Sequence, residues 1–550
     1  MLKNITLHFS ELPNSIEVST QGVTIFVGPN NSGKSLLLKE IEQAFRLHGK
    51  VEGFKILDGF EIVWPTKASI EQDLDSLSHR KPQGSNTNII ETGYFQGRNF
   101  QSKRLVRDQI IEIAKGKTDK NWFAAEFLTH FLVRLDGRTR FELSDDDSMG
   151  DLLSSPSSML AAIFRDNKVR KKIRDIVFDA FGLHLVIDPT NLGTARIRLS
   201  EQPPGPDEQS LNEEARNFHK AAAHIKEASD GLQAFVGIIA SVISGEYRAI
   251  LIDEPEAFLH PPLARKLGKE LAKFVSTNKG SLLASTHSAD FLMGCVHASK
   301  DVRIVRLEYY KGKSKGRVVD PQLLEQVFRS PLMRSANVVS ALFYDGVVVT
   351  ESDNDRAFYA EIYYRLTEVD PSLPSILFIN AQNKQTIKNI VKPLRGFGIP
   401  AAAIPDIDIL KDGGSVWAEW LEAAAIPNAL HPGLALTRHN VKDLFVKASK
   451  DMKRDGGTDA LAPAGKSAAE KLFDDLDEYG VFVVRRGEIE KWLPTLGAVG
   501  MKTDWTVSAL EKMGSDPTSV NYLTPASDDA WEFMRKIAKW VGNPSRKGTY

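Results

Sequence analysis

Gly28-Pro29-Asn30-Asn31-Ser32-Gly33-Lys34-Ser35 is the stretch that decides how this chain is read. Residues 23–27 before it form an apolar run, and Leu36, Leu37, Leu38, Ile41 and Phe45 after it recur at helical spacing. The stretch is therefore a glycine-rich turn between a buried strand and a helix. Such a turn presents its backbone N–H groups and the helix N-terminus as an anion site. Lys34 is expected to reach the β- and γ-phosphates of a nucleotide and the Ser35 hydroxyl to ligate Mg²⁺, with Gly28, Asn30, Asn31, Ser32 and Gly33 forming the cradle. The first expectation is an ATP or GTP site.

Composition sets mild bounds. The 550 residues are 42% hydrophobic and 26% charged, enough for about three or four domains with proper cores. With a net charge of -1, any nucleic-acid binding must come from local patches. No run of about eighteen apolar residues occurs, and MLKNITLHFS at the start holds no signal-peptide core, so a soluble, cytoplasmic protein away from membranes is expected. The single cysteine, Cys295, excludes an internal disulfide and a cysteine-based zinc cluster.

A second nucleotide element lies at Ala249-Ile250-Leu251-Ile252-Asp253-Glu254, an apolar strand that ends in two carboxylates. Asp253 suits the Mg²⁺ shell, and Glu254 is placed to polarise the water that attacks the γ-phosphate. Upstream, Ala228-Ser229-Asp230-Gly231-Leu232-Gln233 opens a helix. Downstream, Ser285-Thr286-His287-Ser288 ends an apolar strand. Ser229 and Gly231 offer a hydroxyl and backbone N–H groups to a γ-phosphate across a subunit interface, and His287 can sense the same phosphate.

At these four elements, in this order, the chain resembles ABC-type ATPases of the branch that includes RecF, SMC proteins and the OLD (overcoming lysogenization defect) family. The continuation Pro255-Glu256-Ala257-Phe258-Leu259-His260-Pro261 is similar to the run typical of that branch. The resemblance implies two heads that sandwich ATP between the Gly28–Ser35 loop of one and the Ser229/Gly231 motif of the other. The signature reads ASDGLQ rather than LSGGQ. Gln96, after a strand-like stretch, is the candidate glutamine-loop residue, with an ordinary surface glutamine as its bland alternative.

Residues 98–182 read as helical at 122–135, 159–164 and 169–181, an inserted lobe that the resemblance assigns to dimerisation. Within it Lys168, Arg170, Lys171, Lys172 and Arg174 form a basic run that fits either a phosphate backbone or a solvated helix face. The 311–317 stretch, KGKSKGR, lies between two β-like runs and reads as a hairpin turn.

The second half alternates again. Residues 346–350 form a buried strand followed by Glu351-Ser352-Asp353-Asn354-Asp355 and a helix. A strand at 376–379, a helix at 385–397 and a strand at 401–404 come next, the last running into Pro405-Asp406-Ile407-Asp408. Residues two apart on a strand share a face, so Asp406 and Asp408 are expected to point together, met by Glu351 and Asp355 from a neighbouring strand. Four gathered carboxylates repel one another without cations, which implies Mg²⁺ or Mn²⁺.

A glutamate after one strand and a DxD after a later one is similar to the Toprim fold. An ABC-type ATPase followed by Toprim in one chain resembles the OLD nucleases. The resemblance implies that Glu351, Asp355, Asp406 and Asp408 carry metals, that a later acidic residue joins them (Glu490 first, Glu488 second), and that a late lysine, Lys536 or Lys539, assists. Ser352 replaces the usual glycine, and Pro405 stands where a β-branched or small residue is usual. Two divalent ions would clamp the scissile phosphate, and a lysine would neutralise charge that develops on it.

The expected architecture is α/β: an ABC-type ATPase head at 1–97 and 183–340, interrupted by a helical lobe at 98–182, then a Toprim domain at 341–550 with a helical insertion at 410–479. The expected function is an ATP-dependent or ATP-regulated DNA endonuclease. It would use ATP and Mg²⁺, work as a homodimer or higher oligomer, and serve anti-phage defence, with a helicase-like protein or a retron as a possible companion. The rival readings are an ATP-driven switch with an inert Toprim half and a RecF-like repair protein that binds DNA without cutting it.

Overall fold

The apolar run at 23–27 is the strand Gly22–Val27, third in a six-stranded sheet ordered Lys313–Val318, Val302–Tyr310, Gly22–Val27, Ser281–Ser285, Ala249–Asp253, Leu132–Leu135. All neighbours are parallel except the hairpin formed by the first two strands. This is a computed structural model, and it describes residues 1–549 apart from 47–52, 81–87, 97–98, 138, 154–155, 246, 311, 332 and 334–336. The chain divides into two compact units, Met1–Val27 with Asn31–Val318, and Gly28–Asn30 with Val319–Tyr550.

In the first unit the helix Lys34–Arg46 buries Leu37, Leu38, Ile41 and Phe45 in one core with Phe60, Phe123 and Phe127, while Leu36 stays partly exposed. Buried Glu40 on this helix accepts the backbone N–H groups of Lys55, Ile56 and Leu57 at 2.7, 3.1 and 2.9 Å. That fixes Ile56, whose side chain lies so close to Gly33 that a Cβ there would meet it at 2.5 Å. With φ at +93° as well, glycine is required at this point of the loop.

Two sequence expectations change here. Residues 122–135 are not one helix: the helix Lys120–Glu126 and a short turn Leu128–Phe131 lead into the strand Leu132–Leu135, the edge of the central sheet. The stretch is apolar on every side, so periodicity could not separate strand from helix. Residues 98–182 therefore supply a strand to the ATPase sheet besides the helices Met159–Arg165 and Asn167–Phe181. The basic run on the latter is only partly a solvated face: Lys168, Lys171 and Lys172 are exposed, but the two arginines are not. Arg170 is buried on Glu208, Asn167 and two backbone carbonyls, Arg174 binds Glu208 and the Leu185 carbonyl, and Lys172 lies over the Phe274 ring. A hairpin is present where 311–317 was expected to be its turn, but residues 313–317 belong to its second strand, Lys313–Val318; Lys311 lies outside the described residues, as do Gly97 and Arg98 at the expected domain boundary.

The second unit holds three parallel strands, Ile376–Asn380, Gly346–Thr350 and Ala401–Ile404, with Gly346–Thr350 in the middle. Parallel bridges from Ala403 to Val481 and from Asp406 to Val484 extend the last strand. The 410–479 stretch is helical, as expected, with its main helices at Ser415–Ala423, His431–Lys447 and Pro463–Asp477. Among the described residues no helix is long and apolar enough to cross a membrane.

Arg395 ties this unit together. Its buried guanidinium donates to the carbonyls of Ala401, Ala424, Tyr479 and Gly548 at 2.6 to 3.0 Å, joining the start of one strand to the segments beside it. Arg395→Met would leave these carbonyls buried without donors, each costing about 1–3 kcal/mol. The expected result is a loss of about 3 kcal/mol or more in a denaturant titration of the wild type and the variant.

Candidate active sites

In a parallel sheet every strand ends at the same edge, and the nucleotide-site residues leave from that edge. Glu254 N–H donates to the Ser285 carbonyl at 2.9 Å and Thr286 N–H to the Phe26 carbonyl at 3.2 Å, so the three turns lie side by side. The Ser35 hydroxyl donates to Asp253 at 2.8 Å, and Ser285 donates to the same carboxylate. The two Mg²⁺ candidates therefore meet.

Lys34 is buried, with Ser32 Oγ 3.2 Å from its Nζ, and burial lowers its pKa to about 8 while Glu254, Asp253 and Glu256 hold it up. His287 Nε2 lies 3.8 Å from Glu254, and burial, then the Lys34 charge, lower its pKa to about 4, so the ring is neutral near pH 7. A neutral ring can either donate or accept toward a phosphate or water.

Glu254 sits at φ +49°, an uncommon backbone for glutamate. Arg140, which sequence reading missed, holds it there. Its fully buried guanidinium donates to the carbonyls of Asp253, Glu254 and Ala257 at 3.0, 2.8 and 3.2 Å. Glu256 is half-buried with its carboxylate turned inward, accepting the His287 N–H at 2.7 Å, and burial raises its pKa.

Ser229 is the N-cap of the helix Asp230–Ser244, accepting the Leu232 N–H at 3.4 Å. Gly231 packs against the same strained turn, since a Cβ on it would lie 2.6 Å from the Phe258 carbonyl oxygen. Gln96 ends the strand Ile89–Gln96 in a separate three-stranded sheet, and its side chain lies outside the described residues.

In the second unit, Glu351 follows Gly346–Thr350 and accepts the Asp406 backbone N–H at 3.0 Å. Asp355 forms a capping box with Ser352, accepting its N–H and hydroxyl at 2.9 Å each, which gives the serine in place of glycine a task. The strand ends at Ile404, so Asp406 and Asp408 do not share a strand face as expected. Pairing continues past it only through the Pro405 carbonyl and the bridge from Asp406 to Val484, and Asp406 stands at the N-terminal end of a short turn, Ile407–Lys411, that carries Asp408.

What faces this DxD is Lys453, a residue sequence reading missed because it lies in the helical insertion. Its Nζ is 2.5 Å from Asp406 and 3.7 Å from Asp408. Lys384, also missed, lies 3.2 Å from the other oxygen of Asp408. Glu490 accepts the Lys502 N–H at 2.9 Å and acts electrostatically on Asp355 and Asp406. Glu488 is held high by burial and by Glu490. Lys536 does not join them. It pairs with Asp477 at 2.6 Å and Asp474 at 3.2 Å, beside Arg485.

Burial, then the Asp406 charge, raises Glu351 to about 7 and Asp355 to about 6. Burial also raises Asp406, despite Lys453. Among the described residues no three His, Cys, Asp or Glu side chains converge in metal-ligating geometry. Each carboxylate turns instead to an N–H, a hydroxyl or an ammonium. The donors are all hard oxygens, the kind that a divalent cation such as Mg²⁺ takes, in a setting that disfavours uncompensated negative charge.

A carboxyl whose folded pKa exceeds its unfolded value destabilises the fold once ionised. For Glu351 that cost is absent below about 4.5 and complete above about 7. The melting temperature in chelator is expected to fall as pH rises through this window, and Glu351→Gln is expected to flatten the slope. Thermal melts of both proteins across the window check it, and equal slopes would assign the effect to other groups.

Residues 23–294 match the AAA domain family, and residues 342–408 match the family described as overcoming lysogenization defect protein-like, TOPRIM domain. The chain is 22% identical over 315 residues to the Old nuclease of Escherichia phage P2, covering 53% of this chain and 50% of that protein. It is 23% identical over 191 residues to the OLD nuclease of Thermus scotoductus, covering 32% and 35%. The chain thus spans about half or less of the length of the curated relatives it matches. Among solved structures, an SMC head bound to the C-terminal winged-helix domain of ScpA is similar at 12% identity and a TM-score of 0.33, covering 60% of this chain and 99% of that one. An AAA-type ATPase domain followed by an OLD-like Toprim domain in a single polypeptide is thus what the comparisons find in this chain, with similarity to two OLD nucleases.

Proposed function

We propose that this protein is an ATP-regulated, divalent-metal-dependent nuclease that hydrolyses DNA phosphodiesters at the Toprim site. The observation that carries the reading is Lys453 set against Asp406 and Asp408 beyond the ends of parallel strands, with Glu351 on the Asp406 N–H. A divalent ion held by these oxygens would supply Lewis-acid activation of water and of the scissile phosphate. The chain's own groups do the rest. Glu351 accepts the Asp406 N–H and so holds the start of the DxD turn in place, and Asp355, fixed by its capping box, keeps the first helical turn in place beside it.

In the ATPase half, Lys34 binds phosphate, Ser35 and Asp253 hold Mg²⁺, Glu254 orients water and His287 reads the γ-phosphate. Ser229 and Gly231 would act on the nucleotide of a second copy, making the working form a homodimer or larger. The 1–97, 98–182, 183–340 and 341–550 division follows the same reading. A cytoplasmic, anti-phage role, with or without a companion protein or retron, rests on the family alone.

One observation favours a second reading, an ATP switch with an inert Toprim half: no three ligating side chains converge among the described residues. Nicking of supercoiled plasmid in Mg²⁺ or Mn²⁺ separates the two. Cleavage is expected for the wild type and a loss of about a hundredfold or more for Glu351→Ala and Asp406→Ala. Lys34→Ala is expected to abolish ATP turnover and the effect of ATP on cleavage, leaving the Toprim chemistry itself intact. Wild-type protein that turns over ATP and never cuts would favour the switch.

A further inference from the structure

Glu254 owes its aim to its backbone. Its carboxylate is about half exposed and lies 3.8 Å from His287, beyond hydrogen-bond distance, so the main chain beneath it sets where it points. That main chain is a turn with two left-handed residues, Glu254 at φ +49° and Phe258 at φ +69°. It is closed by the Ala257 N–H on the Glu254 carbonyl at 3.0 Å and the Leu259 N–H on the Glu256 carbonyl at 2.8 Å. Neither glutamate nor phenylalanine favours such a backbone. Arg140 supplies the constraint, with Nη2 donating to the Asp253 and Glu254 carbonyls and Nη1 to that of Ala257. Its side chain is 2% exposed, and among the described residues all its hydrogen bonds go to these carbonyls. A buried cation is costly to desolvate, and this one serves the shape of a single turn.

The segment that carries Arg140 reaches the Ser229 motif as well. Its short turn Glu142–Ser144 packs on the helix Asp230–Ser244, where a Cβ on Gly237 would lie 2.9 Å from Leu143 Cβ and 3.1 Å from the Arg140 carbonyl oxygen. Lys226, just before the motif, donates to the Phe141 carbonyl and to Ser144 Oγ at 3.0 Å each and pairs with Asp145 at 2.6 Å. The Phe141 ring also meets the Phe258 ring edge-on, with centroids 5.0 Å apart.

We infer, on the reading that Glu254 orients the attacking water, that Arg140 is a positioning residue for ATP hydrolysis, and that residues 140–145 make the Glu254 turn answer to the placement of the Ser229 motif. Arg140 acts through Glu254 rather than on the nucleotide, so ATP binding does not depend on it.

Lysine at 140 keeps the charge and loses the planar fork that serves two nitrogens at once. Arg140→Lys is expected to lower kcat for ATP by about tenfold or more. Affinity for a non-hydrolysable ATP analogue, measured by calorimetry on the full-length protein, is expected to stay within about twofold of the wild type. In a Glu254→Gln background the same change is expected to alter the residual turnover by less than about twofold, since both act through one carboxylate. Lys226→Met, at the partly exposed end of the segment, is expected to lower kcat by about threefold with analogue affinity retained. Wild-type turnover in Arg140→Lys or in Lys226→Met, analogue binding lost in step with turnover, or an undiminished further loss in the Glu254→Gln background would overturn the inference. Full turnover by Glu254→Gln alone would overturn the assignment of Glu254 and the inference with it. Should Arg140→Lys not fold, seen as the loss of its thermal transition, Lys226→Met decides by the same two readouts.

Discussion

Parallel strands impose one constraint on which both halves of this protein depend. Because every strand in such a sheet points the same way, the turns that follow them open on one edge, and side chains distant in sequence gather there. Ser35 and Asp253 are more than two hundred residues apart and hydrogen bonded, because the strands before them flank Ser281–Ser285 in parallel register. Glu351 and the Asp406 N–H meet for the same reason in the smaller sheet. Neither meeting needs a special loop.

Gathering charge at a strand edge then creates a second problem, which each half solves differently. The nucleotide site buries its lysine among carboxylates and keeps its histidine neutral, so its own charges nearly cancel. The Toprim site buries more negative charge than its lysines offset, and its carboxyl groups are held toward the protonated form. The first arrangement suits an incoming anion, the second an incoming cation.

The legible parts of the sequence were those where neighbours along the chain carry the chemistry. The loop at 28–35, the carboxylates closing the 249–253 strand, and the glutamate and DxD of the second half could be placed on strand ends by apolar runs alone. What escaped was set by long-range packing. Arg140, Lys384 and Lys453 carry no local pattern, and each matters through a partner that only the folded chain brings near. Lys536 failed in the opposite sense: an amphipathic terminal helix offered a lysine, but Asp474 and Asp477 claim it. The strand Leu132–Leu135 was hidden because an apolar run between helices has no period of its own. Asp406 and Asp408 both lie within reach of Lys453, through a turn after Pro405 and not through the shared strand face that their spacing suggested.

The grip of Arg140 on the turn after Asp253 bears on how nucleotide state can be communicated. Three carbonyls of that turn are tied to one buried guanidinium, and the left-handed Glu254 lies within the grip. A turn tethered this way behaves as a fixed anvil, against which neighbouring pieces must move. The piece in closest touch is the helix start at Gly231, resting on the Phe258 carbonyl with no side chain between them. Motion of that helix would be felt at the Glu254 turn without passing through any deformable side chain, which makes the linkage stiff.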